Sequence, residues 1–173
     1  AHAVWRYWEA TGDLDFLADH GAEIVFEVAR FLRSFARYDE VNDRYEFIRL
    51  LGPDEWHENV DNNTYTARIG RLALRHASEI RALLASERPD ALDALDDRLG
   101  VTSDDVEAWE RLEAKLFEHR PDPETLLIEP FDHFFELEDC RPADLRERLL
   151  DPGEYWGWPN GVAVHTQVSK QPD

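Results

Sequence analysis

Apolar residues recur at helical spacing through most of this chain, and nowhere do they alternate over the length of a strand that could join a large sheet. Val4, Trp5 and Trp8 mark one helix. Phe16, Leu17, Ile24, Val25, Val28, Phe31, Leu32 and Phe35 mark a second. Between them stands Thr11-Gly12-Asp13, where Gly12 is suited to the left-handed conformation that ends a helix and Asp13 to capping the next. So short a link predicts antiparallel neighbours. Trp5 and Trp8, three positions apart, read as core. A third helix is expected over about residues 63–87 from Ile69, Leu72, Leu74, Ala77, Ile80, Leu83 and Leu84, with Asp61, Asn62 or Asn63 as its cap. A shorter one starts at Pro89 and ends at Gly100. Another, capped in the run Thr102-Ser103-Asp104-Asp105, runs to about His119, where Pro121 and Pro123 stop it.

The remainder is irregular. Residues 46–51 read as a short extended segment that runs through Gly52-Pro53 into a long polar loop. Residues 126–128 and 133–137 read as extended, 142–150 as a short helix, and 152–167 as a loop rich in Gly, Pro and Trp. The fold class is all-α, with one long loop inserted between two helices.

Composition narrows the function. With 43% hydrophobic, 33% charged and 12% aromatic residues over 173 positions, the chain has the makings of one globular domain. Its 38 acidic against 19 basic residues leave a net charge of −19, a surface that repels nucleic acid and anionic lipid. No run approaches the ~20 apolar residues of a membrane span. Cys140 is the lone cysteine, which excludes an internal disulfide and points to a reducing, cytoplasmic setting. The absence of Met, with an abrupt start at Ala1, reads as a segment of something longer. His2, His20, His76, His119, His133 and His165 lack the spacing of metal ligands, and no glycine-rich phosphate loop is present. Neither a metal nor a cofactor is expected.

The run Gly52-Pro53-Asp54-Glu55-Trp56-His57-Glu58-Asn59-Val60-Asp61-Asn62-Asn63-Thr64-Tyr65 gathers acids, amides, a histidine and two aromatics into one loop, the setting in which a rigid scaffold usually presents catalytic groups. Gly52-Pro53 gives a fixed turn that would aim Asp54 and Glu55. Trp56 offers a flat wall to stack on a sugar ring and shield the neighbouring carboxyl from water. A shielded carboxyl tends to keep its proton, as protonation of a glycosidic leaving group requires. An acidic turn that caps a helix is the plainer alternative. Asp61, Asn62 and Asn63 read as cap and bracing residues, and Trp156 and Trp158 as either a sugar platform or aromatics folded onto the scaffold.

This stretch resembles the GPDE-Y/W-HENVDNNAYT signature of glycoside hydrolase family 65, the inverting phosphorylases of maltose, trehalose, kojibiose, nigerose and related α-glucosides. Residues 3–31 resemble the helix pair that precedes the signature, and 168–173 its KQAD element, with Pro172 in place of Ala. The resemblance implies that residues 1–173 are part of an (α/α)6 catalytic barrel whose flanking parts are absent. It further implies that Glu55 is the general acid and that Trp56, His57, Glu58, Lys170 and Gln171 contact the sugar. Inorganic phosphate would be the co-substrate and nucleophile, and an α-linked disaccharide the other substrate. The family is often dimeric. The alternatives are an inverting hydrolase of the same fold that uses water, and an inactive sugar-binding or structural fragment.

Overall fold

The computed structural model describes residues 1–171. Its helices are α1 (His2–Thr11), α2 (Leu14–Phe16), α3 (Ala22–Phe35), α4 (Thr64–Glu87), α5 (Pro89–Leu99), α6 (Ser103–Lys115) and α7 (Pro142–Arg146). Among the described residues, strands β1 (Arg37–Asp39), β2 (Arg44–Glu46), β3 (Leu50–Leu51) and β4 (Glu58–Val60) form two separate ribbons, β1 with β2 and β3 with β4. The chain is thus mostly helical with a few short strands. It divides into two compact units: Ala1–Tyr45 with Ile69–Leu116, and Glu46–Arg68 with the chain from Phe117 onward.

In the first unit, Gly12 ends α1 at φ 65°, its N–H bonded to the Trp8 carbonyl, and the Asp13 carboxylate accepts the Phe16 N–H at 2.9 Å. The second predicted helix is interrupted. A π-helical turn over Leu17–Gly21 separates α2 from α3 and turns Leu17, Ala18 and Gly21 inward. A Cβ on Gly21 would lie 2.8 Å from the Val4 side chain, so α1 approaches closely because none is there. Helix α3 buries Ala22, Val25, Phe26 and Ala29, a stripe at spacings of three and four. Phe26 packs against Trp109 of α6 with ring centroids 5.8 Å apart. Off that stripe, Ile24, Phe31 and Phe35 are exposed.

Trp5 and Trp8 are half-buried rather than core, because α1 encloses none of its residues fully; Trp5 stacks at its margin on His76, 4.7 Å away. The Arg81 guanidinium grips both Asp96 oxygens, at 2.7 and 2.6 Å, and joins α4 to α5. Helix α6 starts on a reciprocal Thr102–Asp105 capping box. It stops short of its expected end because Leu116 turns extended to bridge Tyr45, while Arg71 takes the carbonyls of Glu113 and Leu116.

The second unit has little regular structure beyond the β3–β4 hairpin and α7. Residues 133–137 form a 3-10 turn (Phe134–Glu136) rather than an extended run, with His133 left-handed at φ 69° before it. Leu126, also left-handed at φ 61°, breaks the other segment expected to be extended, and residues 126–128 are exposed. Leu145, Ala163 and Val168 make a small core, with Trp56, Trp156, Val162 and Cys140 packed against it.

Candidate active site

The polar loop folds as a hairpin. Strand β3 pairs antiparallel with β4, Leu50 opposite Val60 and Leu51 opposite Glu58, and residues 52–57 form the tip. Its base is braced by the amides and acid that follow. Asn63, fully buried, caps α4 by accepting the Thr66 N–H at 2.9 Å, and its amide donates to the Pro130 carbonyl at 3.2 Å. The Asp61 carboxylate accepts the Arg49 N–H, and the Asn62 amide donates to Asp132 at 2.8 Å. Gly52 crosses so close to Asn63 that a Cβ there would stand 2.5 Å from the Asn63 amide nitrogen. The turn and the helix cap are therefore one construction.

At the tip the two acids point in opposite directions. Asp54 is 3% exposed, while the Glu55 side chain is 48% exposed. One Asp54 oxygen accepts the backbone N–H of Trp56 at 3.2 Å and that of Lys170 at 2.9 Å. The other meets His57 Nδ1 at 2.5 Å. Burial alone would push the Asp54 carboxyl up, but hydrogen bonds from His57, Lys170 and Trp56 outweigh it and hold the carboxyl below its ordinary range. His57 is itself 4% exposed, with Nε2 2.8 Å from the Thr166 carbonyl and its ring packed against those of Phe131 and Phe134. Both ring nitrogens are engaged inside the fold.

The Glu55 carboxylate pairs with the Lys170 ammonium, and the Tyr155 hydroxyl donates to the Glu55 carbonyl at 2.9 Å. That carboxylate raises the Lys170 pKa. Trp56 does not wall off Glu55. Its indole stacks on Trp156 at 5.2 Å, and its carbonyl accepts the Trp158 N–H at 3.1 Å. Glu58 is half-buried in β4, and Gln171 is half-buried with its side-chain oxygen unpartnered among the described residues. Glu55 and Lys170 are thus brought together, with Gln171 next in sequence, whereas His57 lies behind them. Pro172 lies outside the described residues. A surface depression lined by Arg146, Leu149, Pro152 and Trp156 borders neither Glu55 nor Lys170. Among the described residues, no three His, Cys, Asp or Glu side chains converge on a metal position, and no helix is long and apolar enough to cross a membrane.

Sequence reasoning named Asp54 only as aimed beside Glu55 by the turn and missed its buried pairing with His57, and it missed Tyr155 and Thr166 altogether. For Asp54 a signal exists: an acid followed three positions later by histidine, inside a turn, has the spacing of a local carboxylate–imidazole pair.

A sequence model of the glycosyl hydrolase family 65 central catalytic domain matches residues 1–173. The chain is 42% identical over its whole length to 1,2-alpha-glucosylglycerol phosphorylase of Bacillus selenitireducens, covering 22% of that protein. It is 38% identical, again over its whole length and 22% of the relative, to kojibiose phosphorylase of Caldanaerobacter subterraneus subsp. tengcongensis. Among solved structures, a putative kojibiose phosphorylase from the human microbiome superposes with a TM-score of 0.82 at 26% identity, over 99% of this chain and 23% of that one. The chain spans less than a quarter of the length of the relatives it matches.

Proposed function

This chain belongs to glycosyl hydrolase family 65, matched throughout by the central catalytic domain, and on that premise we propose that it forms part of the catalytic barrel of an inverting α-glucoside phosphorylase. The first unit's helices would then be a portion of an (α/α)6 barrel, and the β3–β4 hairpin its catalytic loop. The observation that carries the reading is the exposed Glu55 carboxyl set against Lys170, a residue from the far end of the chain.

In this reading Glu55, protonated, donates its proton to the glycosidic oxygen as the bond to the anomeric carbon breaks. A phosphate oxygen attacks that carbon from the opposite face, so the α-linkage becomes a β-sugar 1-phosphate. Glu55 is left as a carboxylate beside Lys170 and must regain a proton before the next cycle. Lys170 also donates to sugar hydroxyls, and the unpartnered Gln171 oxygen accepts from one. Trp56, stacked on Trp156, and Glu58 shape the surroundings. Phosphate is the co-substrate and no cofactor takes part.

The neighbouring acid, Asp54, is not a hydrolase's base. An inverting hydrolase needs a second carboxylate to activate water at ~6.5–9.5 Å from the first. Asp54 is buried and takes its full set of hydrogen bonds internally, so it is not placed for that task. The test is to incubate the full-length protein with kojibiose, trehalose or maltose, with and without phosphate, and to identify products by phosphorus NMR. Phosphate-dependent β-glucose 1-phosphate is expected. Free glucose formed without phosphate would replace this reading with hydrolysis.

A further inference from the structure

We propose that Asp54 is a positioning residue which, through His57, locks the segment carrying Lys170 onto the turn carrying Glu55 and so fixes the distance between the acid and its partner cation. This rests on the function proposed above and concerns how that site is held.

The contacts close a ring. Asp54 binds the Lys170 N–H and the His57 ring, His57 reaches the Thr166 carbonyl, and the backbone from Thr166 to Lys170 completes the circuit. Both ends of that backbone stretch are therefore held by the Asp54–His57 pair. The Trp56 N–H on the same Asp54 oxygen adds a local turn that sends Glu55 outward. Thr166 is almost wholly buried, and its hydroxyl donates to the Ala163 carbonyl while accepting the Val168 N–H, so the anchor point is itself rigid.

The partners fix the orientation of the ring. A carbonyl oxygen only accepts, so His57 Nε2 carries a hydrogen toward Thr166. Nδ1 then faces the Asp54 oxygen that takes neither backbone N–H. Phe131 and Phe134 pack against the same ring. Lys170 thus receives its place from Asp54 through the backbone, while its ammonium meets Glu55.

Two variants of the full-length protein separate positioning from plain structural support. Asp54→Ala removes every link. In Asp54→Asn the amide oxygen still accepts from Trp56 and Lys170 and the amide nitrogen stands beside His57 Nδ1, so the backbone links persist without the carboxylate. Assayed well below their unfolding transitions, Asp54→Ala is expected to lose about 100-fold in kcat, the scale of an ångström-sized misplacement, and Asp54→Asn roughly tenfold. Backbone hydrogen exchange over residues 166–171 should rise in the same order while residues 103–115 stay unchanged. Wild-type kcat in Asp54→Ala, or unchanged exchange over 166–171, overturns the proposal. Should Asp54→Ala fail to fold, Asp54→Asn carries the test, and wild-type values for both readouts overturn it. If the parent protein makes no sugar 1-phosphate, the function reading fails. The lock is then judged on exchange alone: raised in the variants supports it, unchanged overturns it.

Discussion

The Asp54 carboxylate accepts the backbone N–H of Lys170 at 2.9 Å, across 116 residues of sequence. A single buried acid therefore joins the turn that presents Glu55 to the segment that presents Lys170. The hydrogen bonds that hold its pKa down make this junction sensitive to acid in a defined direction.

A carboxyl whose folded pKa lies below its unfolded value contributes stability that is fully present above the unfolded value, about 3.9 for Asp, and is lost as pH falls through the folded one. The thermal midpoint of the wild type should fall on acidification below about pH 4, and that of Asp54→Asn should fall less over the same interval. Parallel acid profiles for the two proteins would contradict the assignment.

Lys170 is exposed and pairs with an exposed carboxylate, so its removal should leave the thermal midpoint unchanged. Activity should respond differently. Lys170→Met is expected to lower kcat/KM for phosphorolysis by about 100-fold, the usual consequence of losing a charge-matched donor in an active site. A variant with normal kinetics would remove Lys170 from the site.

Gly161 tests the loop that supports Trp56. A Cβ at this position would fall 2.0 Å from the Trp156 carbonyl carbon, a collision with backbone that no rotamer relieves. The turn is closed by the Gly161 N–H to Gly157 carbonyl and Ala163 N–H to Trp156 carbonyl bonds, at 2.8 and 2.9 Å. Gly161→Ala should cost about 3 kcal/mol in urea unfolding and weaken the near-ultraviolet circular dichroism of the stacked Trp56–Trp156 pair.

Thr102 provides the contrast. It lies on the first unit and closes the α6 capping box through bonds of 2.9 and 3.3 Å. Thr102→Ala should lower stability by about 1 kcal/mol without altering kcat or KM, as urea titration and steady-state assays would register.

Much of the helical scaffold is legible because its signals are local. Gly12 and Asp13 punctuate the chain as their residue types dictate, and the buried stripe of α3 repeats at the helical period. The π-helical turn at 17–21 is not legible; it stands where Gly21 meets Val4, a contact between separate elements. The same holds for the end of α6, where a long-range bridge to Tyr45 draws Leu116 out of the helix. At the site, residue types identify the loop but not their directions. Sequence places Asp54 and Glu55 side by side in one turn, and only the fold sends one inward to His57 and the other outward to Lys170. His57, grouped in sequence with the sugar-facing residues, has both nitrogens occupied once Thr166 arrives from the far end of the chain.

The central claim is that Glu55 supplies the proton to the departing sugar. The most direct measurement compares Glu55→Gln with the wild type on a disaccharide and on α-glucosyl fluoride, both with phosphate, because fluoride departs without needing a proton. The variant should lose roughly 1,000-fold or more on the disaccharide, within the range of general acid catalysis, yet keep most of its rate on the fluoride. Equal losses on both substrates, or a disaccharide rate close to wild type, would contradict it.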